Sequence, residues 1–122
     1  MRRHHLRLFG FLAQVKSKHV QKLSDSFDGT IPGAAWKPQE ERMNAGIYFS
    51  LYIVLVDPDN NARIFFIPQE LQTREMFQPR EPLGPNAKRA GWQGFNIVCS
   101  KALGAPIPLC LNGENVFRLE YK

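Results

Sequence analysis

The stretch Ile47-Tyr-Phe-Ser-Leu-Tyr-Ile-Val-Leu-Val56 is the strongest strand pattern in the sequence. β-branched and aromatic side chains dominate it, and its nearly continuous apolar character indicates a central strand that is covered on both faces. The polar segment Asp57-Pro-Asp-Asn-Asn61 follows as a turn, and a second apolar run returns over residues 62–67. The two runs predict a β-hairpin at the centre of a sheet.

Further elements are expected on both sides of this hairpin. Period-two alternation over residues 6–16 predicts a first strand, and residues 17–27 are expected to form a short helix or a loop. Glycine and proline favour a turn cluster over 28–33, and the next segment, 36–41, is interpreted as irregular or at most one helical turn. The remaining elements are expected to be a helix over 68–77, a polar loop over 78–91, a strand over 92–98, irregular chain over 99–108, a tight turn at Asn112-Gly113 and a strand over 115–121. The sequence thus predicts an α+β fold, with a mainly antiparallel or mixed sheet of about five strands and one or two helices.

Length and composition favour a single domain that spans residues 1–122. The chain is 43% hydrophobic and 22% charged, which is enough apolar bulk for one core. Its two cysteines, Cys99 and Cys110, are too few for a disulfide framework. No apolar run reaches the ~18 residues of a membrane helix, so we expect a cytoplasmic protein with no membrane partner.

The positive charge of the chain is concentrated in its basic N-terminal strand segment, residues 1–24. The formal net charge is +5, and no acidic residue precedes Asp25. The cations of this segment are Arg2, Arg3, Arg7, Lys16, Lys18 and Lys22. Such a block indicates an anionic partner such as nucleic acid, or a targeting peptide, and the alternative is a solvated basic face.

A polar pair occupies the predicted first strand near its end. Gln14 and Lys16 are two residues apart, which places an amide and an ammonium on one face of the sheet. Metal-dependent nucleases use this arrangement, in which one side chain holds a divalent cation and a nearby lysine orients or activates the attacking water. The alternative is an edge strand that simply ends in polar residues.

The order of segments around this pair resembles the second half of restriction-endonuclease-like domains of the PD-(D/E)xK type. A Gln-x-Lys-x-Lys strand is followed by the apolar strand, the acidic turn and Phe65-Phe66-Ile67-Pro68, and then by a basic loop and Gly-Trp-x-Gly-Phe. The resemblance covers about residues 8–97. It implies that Gln14 occupies the second metal-site position and that Lys16 is the catalytic lysine.

The sequence departs from that family at the metal site. The resemblance implies a metal-binding aspartate one strand upstream, but no carboxylate precedes Gln14 in this chain. A glutamine is also a poorer ligand than a carboxylate for Mg²⁺, a hard cation. We therefore expect a truncated or degenerate relative without catalysis, in which Mg²⁺ would bind only if the nuclease-like site were intact. No cofactor and no metal site are predicted.

A second candidate region is the loop from Arg80 to Arg89 together with Gly91-Trp-Gln-Gly-Phe95. Basic side chains can contact phosphate while an aromatic ring stacks on an unpaired base. The candidate nucleic-acid contacts in this region are Arg80, Lys88, Arg89 and Trp92. The alternative is that Trp92 and Phe95 cap the hydrophobic core.

These observations favour a nuclease-like domain that is catalytically inactive and binds nucleic acid non-specifically through its basic N-terminal strand. One alternative is a small homodimeric protein–protein interaction module, in which an exposed first or last strand pairs with a second copy. Another is a small-ligand-binding domain that uses the aromatic face of the central hairpin. Salt-dependent binding to DNA or RNA would distinguish the first function from the other two.

Overall fold

Two β-sheets and one α-helix make up the computed structural model, which describes residues 13–120. The strands are β1 (Ala13–His19), β2 (Thr30–Ala35), β3 (Ser50–Val56), β4 (Asn61–Ile67), β5 (Phe77–Pro79), β6 (Gly94–Val98), β7 (Ile107–Pro108) and β8 (Phe117–Arg118). The helix α1 spans Trp36–Asn44, and short 3-10 turns cover Gln69–Leu71, Arg74–Met76 and Cys99–Lys101.

The larger sheet is mixed and has five strands. Its order is β1-β3-β4-β7, and β8 also pairs with β4. β1 runs parallel to β3, whereas β4 is antiparallel to β3, β7 and β8. The smaller sheet is antiparallel, in the order β2-β6-β5. The predicted α+β class, with one helix and a mixed sheet of five strands, is therefore confirmed.

The core contains the alternate residues of the central hairpin and of the smaller sheet. β3 contributes Leu51, Ile53 and Leu55, and each pairs in register with a residue of β4. Residues two apart on a strand share a face, so these side chains lie on one side of the larger sheet. The buried cluster consists of Ile31, Met43, Leu51, Ile53, Leu55, Phe65, Ile67, Met76, Phe77, Phe95, Ile97 and Cys99.

The predicted central hairpin is confirmed, and so is its turn. The Asp57 carboxylate accepts hydrogen bonds from the backbone N–H groups of Asp59, at 3.0 Å, and Asn61, at 2.9 Å. This is the local bonding that makes aspartate a turn former. The tight turn at Asn112-Gly113 is confirmed as well, because both residues have positive φ and the flanking residues pair.

Two predictions between β1 and β3 are wrong. Residues 36–41 belong to the nine-residue helix α1. Pro38 is tolerated there because backbone N–H groups in the first turn of a helix make no hydrogen bond within the helix, so proline removes none. Part of the expected turn cluster, 28–33, forms β2 instead. Pro32 fits this strand because β2 is an edge of its sheet, where a missing donor costs least.

Other boundaries differ from the prediction. β1 extends to His19, and residues 20–29 form no helix. Residues 68–77 form two 3-10 turns rather than one helix, because the buried Gln72 amide donates to the carbonyls of Phe49 and Ile67 and holds the chain between them. The last strand is shorter than expected, and residues 6–12 of the predicted first strand lie outside the described residues. Within residues 13–120, no helix is long and apolar enough to cross a membrane.

Candidate nuclease-like site and nucleic-acid interface

The edge strand β1 presents three polar side chains on the core-facing side of the larger sheet. Gln14, Lys16 and Lys18 pair in register with Leu51, Ile53 and Leu55, so the six side chains share one face. All three polar residues are half-buried, whereas the intervening residues of β1 are exposed. An edge strand is only partly covered by the second layer, and this position explains how these polar groups reach solvent.

Gln14 and Lys16 are the second and fourth residues of β1. β1 continues for three residues beyond Lys16 and ends at His19, one residue after Lys18. Neither side chain forms a hydrogen bond or an ion pair within the part of the chain that the structure describes. The pair presents an amide oxygen and an ammonium group that have no partner among residues 13–120.

The described residues around this pair lack the carboxylates that a divalent metal prefers. Residues 13–120 contain no group of three or more His, Cys, Asp or Glu side chains that could hold a metal ion. Mg²⁺ binds through carboxylates, substrate phosphates and water, so a lone amide is a weak anchor for it. The chemistry that Gln14 and Lys16 offer by themselves is hydrogen bonding and charge attraction to an anion.

Lys18 has a structural partner. Its ammonium group donates to the Thr30 carbonyl at 3.0 Å and lies 5.7 Å from the centre of the Phe27 ring. In the same region, Arg63 forms an ion pair with Asp25 at 2.9 Å. Together these contacts attach residues 20–29 to the strands. They also occupy the Lys18 ammonium group, which the sequence indicated as a cation for binding nucleic acid.

The loop between β5 and β6 is an ordered extension of their hairpin. Its base is closed by a bond from the Arg80 N–H to the Gly94 carbonyl, at 2.9 Å, and by one from the Gln93 side chain to the Arg80 carbonyl, at 2.8 Å. Leu83 pairs with Trp92 one step further out, with an N–H to carbonyl distance of 2.8 Å. These bonds order the loop, and residues 80–93 are called the arm below.

A tight turn at the end of this arm brings Arg89 and Trp92 together. The Trp92 N–H donates to the Arg89 carbonyl at 2.9 Å, and Gly91 has φ of 81°. Glycine suits the third position of such a turn because positive φ costs it little. The turn places the Arg89 guanidinium over the Trp92 ring, 4.4 Å from its centre. This is a close cation–π contact.

Arg80 approaches the same indole from the base of the arm. A methyl group added at Gly94 would collide with the Arg80 guanidinium and touch the Trp92 ring, so both side chains pack over this glycine. Phe95 is different, since it is buried in the core between Trp36 and Phe77. The alternative that these aromatic residues cap the core therefore applies to Phe95. Trp92 is half-buried and lies under the Arg89 guanidinium.

The cations of the arm form no ion pair with an acidic side chain of residues 13–120. Within residues 13–120 the only ion pair joins Arg63 and Asp25. Arg80, Lys88 and Arg89 are exposed, and Lys88 lies next to Arg89 at the tip. The sequence indicated Arg80, Lys88 and Arg89 only because they are basic residues in a loop beside Trp92. The sequence did not predict the cation–π contact of Arg89 with Trp92, although the Arg-Ala-Gly-Trp pattern is typical of a tight turn.

A cleft of about 470 Å³ opens near the end of the core. It lies between residues 26–28 and 99–106, away from the stacked Tyr52 and Phe66 rings of the central hairpin. Burial raises the pKa of the Cys99 thiol to about 11, and the nearby Asp28 carboxylate adds to this shift while Lys18 opposes it. Cys99 is therefore a neutral thiol at physiological pH, and Cys110 is free and exposed.

Strand β1 carries the Gln-x-Lys pair and lies beside the β3–β4 hairpin, and these are the two elements that the resemblance to restriction-endonuclease-like domains implies. A family model described as DpnI, the Dam-replacing family, matches residues 12–107. The match covers most of the chain and includes β1 through β6, and the chain belongs to this family. The family is nuclease-related, which is consistent with the resemblance. No curated protein matches the chain.

Proposed function

We propose that this chain is a nuclease-related domain that binds DNA without sequence preference and does not cleave it on its own. The observation that carries the proposal is the Gln14–Lys16 pair. It lies half-buried on the core-facing side of an edge strand, in a member of a nuclease-related family, with no metal-holding group among the described residues.

Binding is attributed mainly to charge. Residues 1–24 contain six basic residues and no acidic residue. One of the six, Lys16, lies on β1. Cations that neutralise phosphates release counterions from DNA, which gives affinity without sequence information. Arg2, Arg3 and Arg7 lie outside the described residues, so their part rests on the sequence. An affinity of about 10⁻⁴ to 10⁻⁶ M at physiological salt is expected, as for other non-specific binders.

The absence of cleavage is attributed to the ligand set. Phosphodiester hydrolysis of this type needs a cation to generate the nucleophile and to neutralise charge in the transition state. Residues 13–120 contain no group of three or more His, Cys, Asp or Glu side chains that could hold a metal ion, and Gln14 supplies only a neutral oxygen. Lys16 alone could attract a phosphate but would not activate water.

The test combines binding and cleavage. The chain is incubated with plasmid DNA and Mg²⁺ or Mn²⁺, and the same preparation is titrated with labelled duplex DNA at low salt. We expect binding without nicking, and weaker binding by Lys16→Ala than by Lys101→Ala, an exposed control far from β1 in the sequence. Metal-dependent cleavage that Lys16→Ala abolishes would show instead that the domain is an active nuclease.

Self-association is the second candidate function. Val15 on β1 is 67% exposed and Ile107 on β7 is 39% exposed, so both edges of the larger sheet present an apolar side chain. Exposed edges are the usual route by which sheets pair with a second copy. Sedimentation at about 50 μM, where a micromolar dimer is largely formed, is expected to show a homodimer, and a monomeric mass would contradict it.

A further inference from the structure

The arm between β5 and β6 carries a cation–π pair, Arg89 and Trp92, that the proposed function does not use. Arg89 lies 4.4 Å above the centre of the Trp92 ring, and its outer surface is exposed. A guanidinium is a planar group, and a face that the indole does not cover can accept another flat group.

The surroundings of this surface favour a nucleotide. Arg80 and Lys88 are exposed on the same arm and have no acidic partner among residues 13–120. They are placed to meet phosphate while Arg89 meets a base, because unpaired bases stack on guanidinium planes as well as on aromatic rings.

We infer that the Arg89–Trp92 stack binds an unpaired base of single-stranded DNA, with Arg80 and Lys88 on the adjoining phosphates. This inference rests on the proposed function and names the part of the DNA that the arm contacts. A base inside a duplex is stacked on its neighbours and hidden from such a surface. The arm therefore gives the domain a preference for DNA with exposed bases, which the charge of residues 1–24 would not give.

The decisive variant is Arg89→Lys. It keeps the positive charge and removes the plane, so phosphate attraction remains while stacking is lost. Two fluorescein-labelled strands of equal length are compared by anisotropy, a thymidine 12-mer and an abasic strand with the same phosphates. Arg118→Lys on β8 is the matched control, because Arg118 is also exposed and lies outside the arm.

We expect Arg89→Lys to weaken binding of the thymidine strand at least about fivefold, the lower end of what one stacked base contributes. Binding of the abasic strand should stay the same, and Arg118→Lys should change neither. Equal effects of Arg89→Lys on both strands, or no effect on either, would overturn the inference.

A second readout follows Trp92 itself. In a Trp36→Phe background Trp92 is the sole indole, and the thymidine strand should change its emission while the abasic strand changes it much less. Failure of the wild-type chain to bind any DNA at low salt would remove the proposed function as well. Binding of duplex, thymidine and abasic strands with equal affinity would remove only the role of the arm.

Discussion

At the scale of single residues, Cys99 and Cys110 show how the fold sets the chemistry of one side chain. Cys99 is 2% exposed in the core, and the pKa of its thiol is about 11. Cys110 is exposed. Because the thiolate is the reactive form, only an accessible cysteine should react quickly with a thiol reagent near pH 8. One fast thiol is therefore expected, and fast labelling that persists in Cys110→Ser would contradict this.

The same thiol links stability to pH. The folded chain holds the Cys99 proton more tightly than the unfolded chain does, so deprotonation favours unfolding. The stabilisation is complete below the unfolded pKa of about 9 and is lost as the pH rises through the folded pKa of about 11. The loss is up to about 3 kcal/mol over this window. Urea titrations across it should show a flatter pH dependence for Cys99→Ala than for wild type, and equal slopes would contradict the shift.

At the scale of elements, the contact between β2 and β6 depends on the absence of a side chain. Gly33 on β2 faces the Phe95 ring so closely that an added Cβ would collide with it. Phe95 is packed between Trp36 and Phe77 and has little room to move. Gly33→Ala is expected to cost about 1–3 kcal/mol of unfolding free energy, as other overpacked sites do.

The matched control for this variant is Gly84→Ala. Gly84 has nothing within 4 Å of an added Cβ and no positive φ. Its substitution should change stability by less than about 0.5 kcal/mol. Denaturant unfolding of the two variants side by side tests the contact. Equal free energies of unfolding would show that the Phe95 ring can move aside without loss of stability.

The turn over residues 89–92 depends on the backbone conformation of Gly91 and not on the room around it. Gly91 has open surroundings but a φ of 81°. Gly91→Ala should therefore cost about 1–2 kcal/mol locally, the penalty for a left-handed residue. The same Gly84→Ala control applies, since both glycines lie in this arm. The expected readout is weaker binding of the thymidine strand by Gly91→Ala alone, and equal binding by both variants would contradict the role of the turn.

The sequence predicted the elements whose patterns are local. The central hairpin and its Asp57 turn follow from apolar runs and turn chemistry, and both formed as expected. Helix α1 and strand β2 were missed because their apolar patterns are weak and each contains a proline. Their formation depends on tertiary context, namely the two buried positions of α1 and the pairing of β2 with β6.

The candidate site was predictable to a similar extent. The two-residue spacing of Gln14 and Lys16 predicted that both side chains share one face of the sheet, and they do so on β1. The partner of Lys18 was not predictable, because the Thr30 carbonyl is twelve residues away and meets it only through the fold. The Arg89–Trp92 contact needed the turn conformation at Gly91, which composition alone does not specify.

At the scale of the whole molecule, charge is distributed unevenly over the chain. The net charge is +5, and residues 1–24 contribute six cations against no acid, so the remainder is close to neutral. An anionic polymer would therefore be attracted mainly to one end of the chain and, more weakly, to the arm. The central claim that follows is that DNA binding is mainly electrostatic and has no sequence preference.

The salt dependence of binding to duplex DNA tests this claim most directly. Affinity is measured over a range of salt concentrations for the wild-type chain and for a variant with Arg2→Ala, Arg3→Ala and Arg7→Ala. The logarithm of the binding constant should fall linearly with the logarithm of salt, with a slope of about −0.9 for each neutralised phosphate, and the triple variant should have a shallower slope. No binding at low salt, or the same slope for both chains, would contradict the account.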